Sequence, residues 1–455
     1  MQIFVREKSF YQRFFPLLLV IALQSLAALM VNMVDNLMLG RYTELALSGA
    51  TLVNQLQFML QQIAAGTGTG IVVLASQYWG RGQTEPIRRI ISLAIKISMA
   101  IGAVFFLATL LAPHPILRLF TSDEAVIAEG MKYLRIMCWT YLVFSLSNSL
   151  MYSLQAVETA FIGTVMSCST IVINLCLNYL LIYGNFGFPE LGVQGAAIAT
   201  LVSRCVELAI ILVYVLCVDK KLKMKVRDLV RVDFGYLGDY LRVAAPVMIS
   251  GALWGVAQAA QTAILGHISA PAIAANAIAS VVFQICAVFG MAAGNAASVT
   301  IGRTIGARQL DKIRPYARTL QGIFVLLGIA SATLLFLLRH WIIGFYTVSD
   351  ETRELALQFL TVLSVATLGS CYEWPVEGGI IAGGGHTKYP AIVDNLFMWL
   401  FTIPTAALSA FVFRWPPLVT FCFLKADQIL KCIPNAIVCN RFRWVRELTR
   451  DEMPD

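Results

Sequence analysis

Ionisable residues inside long apolar runs are the ones whose type and spacing could do chemistry in this chain. Asp35 stands in LMVNMVDNLMLG with only Asn32 and Asn36 as polar neighbours. A charge at the centre of a bilayer costs about 2.5–3.5 kcal/mol on insertion scales, so this carboxylate is a candidate for handling a small cation. An apolar setting favours the neutral form of a carboxylate, which a proton-coupled device requires. The plainer alternative is an Asp that only hydrogen-bonds to a neighbouring helix. Asn174 and Asn178, one helical turn apart, could line a pocket with Asp35 and Thr200, or could simply pack between helices. In the second half, Glu373 and Glu377 flank Pro375 at i, i+4. Like charges so placed repel: one is protonated, a cation bridges them, they sit near the membrane surface, or they pair with Lys425 or Lys431. Facing a cavity, they would attract a cationic substrate. Asp394, Asp427, Arg204 and Glu207 are weaker candidates, and Asp427 with Lys431 has the spacing of an ordinary helical ion pair.

The elements that must position these residues follow from composition. The 455 residues are 58% hydrophobic and 13% charged, with a mean hydropathy of +0.74. A soluble chain would be roughly 25% charged. That excludes a soluble enzyme, a disordered chain and a nucleic-acid-binding domain, and predicts an all-α integral membrane protein. A spanning helix needs about 20 mainly apolar residues. Twelve runs qualify: 10–39, 46–77, 90–111, 128–155, 161–182, 193–217, 237–265, 272–302, 316–338, 353–383, 389–413 and 416–439. No cleaved signal peptide is expected, because the first apolar run is itself a full span. The charged stretch 218–236 reads as a cytoplasmic linker between an N-lobe (1–217) and a C-lobe (237–440), with a cytoplasmic tail at 441–455.

With the N-terminus inside, 22 of the 34 Lys and Arg fall in inner loops and 5 in outer ones. Both termini are therefore expected in the cytoplasm of a multi-pass cell-membrane protein, and the net charge of +8 reads as a topology signal. Residues 40–88 and 266–314 align without gaps at an offset of 226, matching Gly40 with Gly266, Gly68 with Gly294 and Gly80 with Gly306. Six spans per repeat give both halves the same orientation, the parallel arrangement found in transporters. The same offset sets Gln261 against Asp35. The glycine clusters GTGTG and GGIIAGGGH lack the G-K-[ST] of a phosphate loop and read as close helix packing. His114, His267, His340 and His386 form no ligand set, so no metal is expected beyond Na⁺ at Asp35. The cysteines, Cys168, Cys176 and Cys205 among them, read as small buried hydrophobes.

Three segments carry a family resemblance. VDNLMLGRYTELALSGATLVNQ with the later QYWGRGQ resembles the first repeat of the multidrug and toxic-compound extrusion (MATE) family. NLCLNYLLIYGNFGFPELGVQGAAIATLVSR is similar to its N-x-x-L-[DN]-Y…G-x-x-G-A-A-x-A-T pattern, and GGIIAGGGHTKYPAIVDNLFMWLFTIP resembles the segment joining spans ten and eleven. The resemblance implies two six-helix lobes around a V-shaped cavity and cation-coupled efflux of amphipathic, often cationic compounds. It makes Asp35 the coupling carboxylate, with Asn174, Asn178 and Thr200 around it. Some branches have Asp where this chain has Asn178, and Ile381 and His386 replace the Arg and Asp of the bacterial R-A-G-G-D-T pattern.

The expectation is a secondary antiporter coupled to H⁺, or to Na⁺. It would use no other cofactor, take a small organic substrate, bind no nucleic acid and work as a monomer in the bilayer. Asn32, Asn36, Gln261, Glu373 and Glu377 are its candidate cavity residues. A lipid-linked saccharide flippase would predict a more basic interior and usually fourteen spans. A membrane-embedded enzyme would need a catalytic cluster on one membrane face, and no such cluster is legible.

Overall fold

The computed structural model describes residues 5–121, 123–159, 161–230, 233–266, 268–344 and 348–450, so Arg231 and His267 of the sequence reading lie outside it. Among the described residues there are helices and no strands. The long helices are α1 Lys8–Tyr42, α2 Glu44–Gly80, α3 Thr84–Leu111, α4 Glu124–Ala156, α5 Phe161–Leu181 and α6 Val193–Val218. They continue as α7 Leu237–Gly266, α8 Ala270–Gly306, α9 Leu310–Ile343, α10 Asp350–Ile381, α11 Lys388–Val412, α12 Pro417–Leu430 and α13 Cys432–Arg441.

Ten of these helices are long and apolar enough to cross a membrane. The fourth and twelfth predicted runs are helical but fall outside that set. α4 carries Glu124, Glu129, Lys132 and Arg135 and a Ser-rich second half, while the last run breaks at Lys431 into α12 and α13. Leu111, Leu326, Leu337, Leu400 and Ile433 are exposed on helix faces, as lipid-facing side chains are. Cys168, Cys176 and Cys205 are exposed too, so these cysteines are apolar without being buried.

The internal repeat is written into the helix boundaries. α2, α3 and α4 start at residues 44, 84 and 124, and α8, α9 and α10 start at 270, 310 and 350, each 226 positions later. The caps obey the same offset. The Thr43 hydroxyl accepts from the Ala46 amide at 3.1 Å, and Ser269 from Ala272 at 3.2 Å. Asp123 accepts from Ala125 at 2.9 Å, and Ser349 from Thr352 at 3.3 Å. Each such cap satisfies an amide that the first helical turn leaves unpaired. The register then drifts: α5 starts at 161 but α11 at 388, after α10 has passed into a π-helical segment at Pro375–Ile381.

Contacts group the chain into two units, one of Leu23–Met248 and one of Met1–Ala22 with Ile249–Asp455. The boundaries fall inside α1 and α7 rather than in the charged stretch 218–236. That stretch is tied to the first of these units: Arg88 Nε donates to the Leu222 carbonyl at 2.7 Å, Lys221 Nζ to the Val157 carbonyl at 2.7 Å, and Arg89 pairs with Asp233 at 3.2 Å.

Within the 23–248 unit, α2 and α4 cross at Gly49 and Gly130. A Cβ on Gly49 would lie 2.6 Å from the Gly130 amide nitrogen, so small residues set how close the helices come. The core there gathers Leu60, Val53, Tyr133, Tyr141 and Leu134. In the other unit, Gly379 meets the Gly294 backbone in the same manner, and Phe359 stacks on Phe421 with centroids 4.0 Å apart.

Candidate cation site

Asp35 lies seven residues from the end of α1 and is 5% exposed. Its surroundings come from α4, α5 and α6. The Tyr183 hydroxyl donates to the Met38 carbonyl at 2.8 Å, holding the end of α1. Farther down, Gln155 Nε2 donates to Gln24 Oε1 at 3.3 Å, and Gly163 leaves room for the Gln24 side chain. Gly195 lets α6 approach the Leu181 carbonyl, which a Cβ would meet at 2.5 Å.

Four side chains then close a ring. Asn178 Nδ2 donates to Asp35 Oδ1 and, at 3.1 Å, to Asn174 Oδ1. Asn174 Nδ2 donates to Thr200 Oγ1 at 3.4 Å, and Thr200 Oγ1 donates to Asp35 Oδ2 at 3.4 Å. All four residues are buried. The i, i+4 spacing of Asn174 and Asn178 puts both amides on one face of α5, and the fold brings Asp35, Asn174, Asn178 and Thr200 together. Asp35 makes no ion pair among the described residues; its donors are neutral amides and a hydroxyl. Arg204, one turn beyond Thr200, is engaged by Glu207 at 2.8 Å and lies over the Phe144 ring. Asn178 Oδ1 accepts no hydrogen bond among the described residues. The carboxylate and this carbonyl are thus the acceptors open to a small cation.

The structure adds a residue that sequence reasoning missed. Tyr133 on α4 is buried and interacts with Thr200 and electrostatically with Asp35. Nothing in its local sequence, EGMKYLRIM, marks it as facing an acid. Asn32 and Asn36 are exposed, and among the described residues no hydrogen bond joins them to the ring. Gln261, at the repeat position of Asp35, is buried, and its Nε2 lies 3.2 Å from Met398 Sδ; among the described residues it has no ionisable partner.

The second pair of acids is equally deep. Glu373 is 0% and Glu377 2% exposed. Lys431 Nζ lies 3.1 Å from Glu373, 2.7 Å from Asp394 and 3.7 Å from Asp427, so the expected i, i+4 pair of Asp427 with Lys431 is present. Lys425 does not join it; its Nζ lies over the rings of Phe283 and Phe421. Ile381 is buried. His386 follows in the turn before α11, where burial and the nearby Arg446 and Lys388 charges hold its imidazole below the usual range.

Comparison with known proteins agrees with this architecture. The chain matches the MatE family model over residues 21–180 and 246–408. It is 25% identical over 386 residues to an uncharacterized transporter, YisQ, of Bacillus subtilis, covering 82% of each chain. It is 24% identical over 387 residues to a probable multidrug resistance protein, NorM, of Xylella fastidiosa, covering 85% of this chain and 82% of the relative. Among solved structures, the Vibrio cholerae MATE transporter VcmN in its bent form superposes with a TM-score of 0.84 at 19% identity, over 95% of this chain and 97% of that one. A Pyrococcus furiosus transporter of the MOP superfamily gives 0.86 at 17%, over 95% of each chain. With spanning helices, a 226-residue repeat and a family match over most of its length, this multi-pass membrane protein belongs to the multidrug and toxic-compound extrusion family.

Proposed function

We propose that the chain is a secondary antiporter that exports amphipathic, cationic organic compounds, driven by inward movement of H⁺, or of Na⁺, through Asp35. The observation that carries this reading is a buried carboxylate ringed by neutral donors, with no counter-ion among the described residues. An ionised Asp35 is stabilised by the Asn178 amide and the Thr200 hydroxyl. A proton arriving at Oδ2 turns that oxygen into a donor, so the Thr200 hydroxyl hydrogen must turn away and its oxygen accepts from Asp35 instead. The site then loses its charge, and the charge-assisted link between α1 and α6 becomes a weaker neutral one. Such a step biases a two-state carrier only as far as its two forms differ in affinity for the cation, and alternating access follows from that difference.

Export of drug-like compounds is supported by the relatives named as multidrug resistance proteins. The bias of Lys and Arg supports a cell-membrane protein with cytoplasmic termini,. Arg204 and Lys431 are each engaged by carboxylates, which supports a transporter of cations over a flippase of lipid-linked saccharides. A coupling ion is the one cofactor the reading needs, and a monomer suffices for it.

Purified protein in liposomes preloaded with a cationic dye tests the coupling. An imposed pH gradient should accelerate dye efflux, and a proton ionophore should abolish the acceleration. Efflux that follows an imposed Na⁺ gradient and ignores the pH gradient would move the assignment to Na⁺, and efflux indifferent to both would remove it.

A further inference from the structure

The 249–455 unit buries a set of charges that the Asp35 ring leaves unused. Carboxylate oxygens of Glu373, Glu377 and Asp394 all lie within 4.8 Å of one another, and Asp427 is a fourth acid nearby. Against them stands one ammonium, Lys431, at the distances given above. Among the described residues, the groups that hydrogen-bond to the cluster besides Lys431 are neutral. Asn435 Nδ2 donates to Glu377 Oε2 at 2.8 Å, and Asn435 Oδ1 accepts from the Tyr389 hydroxyl at 2.9 Å. Gln428 Nε2 donates to Asp427 Oδ2 at 3.2 Å, and the Cys432 thiol lies on the Glu373 side. Lys425 senses only Asp427 among the acids.

With Asp427 left to Lys425, Glu373, Glu377 and Asp394 all ionised against the one Lys431 ammonium would leave two negative charges uncompensated, and buried charge is unfavourable unless it is paired. Asp394 is 40% exposed and is the acid closest to Lys431, so water and the ammonium both reach it. Glu373 and Glu377 have no such outlet. Both oxygens of Glu373 and Oε1 of Glu377 accept no hydrogen bond among the described residues, and an oxygen of each carboxyl lies within 4.8 Å of the other. Two carboxylates are acceptors only, so carboxyls this close can bond to each other only when one carries a proton. A metal ion at the same place would lie against the Lys431 ammonium, which a proton avoids. α10 also changes from α to π winding at Pro375, between the two acids, and π segments cluster at functional sites.

We infer that Glu373 and Glu377 share one exchangeable proton, making the C-terminal unit a proton carrier separate from Asp35. With the proton bound, one carboxyl donates to the other. When it leaves as H⁺ to water, both are ionised, with Lys431 compensating Glu373 and the Asn435 amide holding Glu377. Proton binding here stands without the transport reading, and only its use in the transport cycle rests on that reading.

Infrared difference spectroscopy of the purified full chain against pH reads this proton directly. The wild type should show a protonated-carboxyl C=O band that fades as pH rises. Asp35→Asn should keep that band, whereas Glu373→Gln and Glu377→Gln should each lose it. A band unchanged in both Gln variants overturns the inference, and so does a band lost in them that never responds to pH, since that proton would be fixed. If a Gln variant fails to fold by size exclusion, carbodiimide modification of the wild type mapped by mass spectrometry serves instead. Adducts on Glu373 or Glu377 that decline with rising pH support the shared proton; adducts confined to other acids contradict it. Loss of efflux in Asp35→Asn bears on the antiporter reading alone, so the two ideas fail separately.

Discussion

Asn178 donates to Asp35 across 143 positions of sequence, joining α5 to α1 at the one carboxylate buried in the first of these helices. The same amide reaches Asn174, so the bond orders α5 as well as the acid. Asn178→Ala leaves the carboxylate short of a donor and should cost about 1–3 kcal/mol of stability. In the Asp35→Asn background the same substitution should cost measurably less, because the charged partner is gone. Thermal unfolding of the four proteins of this cycle checks it; equal losses in both backgrounds would mean that the two residues do not interact.

The repeat makes its own prediction at the turn after α2 and α8. Gly82 has φ +75° there, and Arg308, its partner at the 226 offset, has φ +56°. A left-handed conformation costs an L-residue roughly 1–2 kcal/mol that glycine escapes. Arg308 also pairs with Glu447 at 3.3 Å on an exposed surface, a contact worth about 0–1 kcal/mol. Arg308→Gly should therefore raise the unfolding midpoint slightly, and a clear drop would show that the ion pair outweighs the strain.

Close helix crossing in the 23–248 unit depends on Gly49, where any Cβ would collide with the Gly130 backbone. Gly49→Ala forces α2 and α4 apart and should cost about 1–3 kcal/mol, in the range for overpacking. Gly255→Ala on α7 meets nothing within 4 Å and should stay within about 0.5 kcal/mol of wild type. Comparing the two variants by thermal unfolding separates packing from a general effect of losing a glycine.

The segment after α13 packs back on the turn before α11. Trp444 is fully buried and covers Gly384, and the Arg446 amide donates to the Gly384 carbonyl at 2.8 Å. Trp444→Ala should cost about 3–5 kcal/mol and expose the tail to protease. His386 sits in that turn with its imidazole held below the usual range by burial and by Arg446 and Lys388. The docked state thus binds its proton less readily than the released one. Docking is unpenalised above the free imidazole value of about 6.5 and weakens as pH falls below it. Limited proteolysis above and below that value should show the difference, and His386→Asn should remove it.

How much of this was legible depends on whether a residue's partner lies in its own helix. The i, i+4 pairs Asn174 with Asn178 and Asp427 with Lys431 follow from helical spacing, and the depth of Asp35 follows from its apolar run. The repeated helix starts at 44 and 84 lie within the stretch aligned at the 226 offset, whereas the start at 124 lies beyond it. Tyr133 and Asp394 were not readable as partners, because only tertiary packing turns α4 toward Asp35 and α11 toward Lys431. Asn32 and Asn36 looked like companions of Asp35 through proximity in sequence; one position along a helix turns Asn36 to another face, and Asn32, though a helical neighbour of Asp35 at i−3, is exposed. The break at Lys431 was hidden inside a run apolar enough to read as one span.

The central claim is that Asp35 carries the coupling cation, and Asp35→Asn tests it most directly. Asparagine keeps the size of the side chain and an acceptor for Asn178 but can neither hold nor release a proton. In liposomes with an imposed pH gradient, wild-type protein should expel preloaded cationic dye faster than without the gradient. The variant, folded and inserted to the same level, should show no acceleration. Gradient-driven efflux by Asp35→Asn at the wild-type rate would contradict the account.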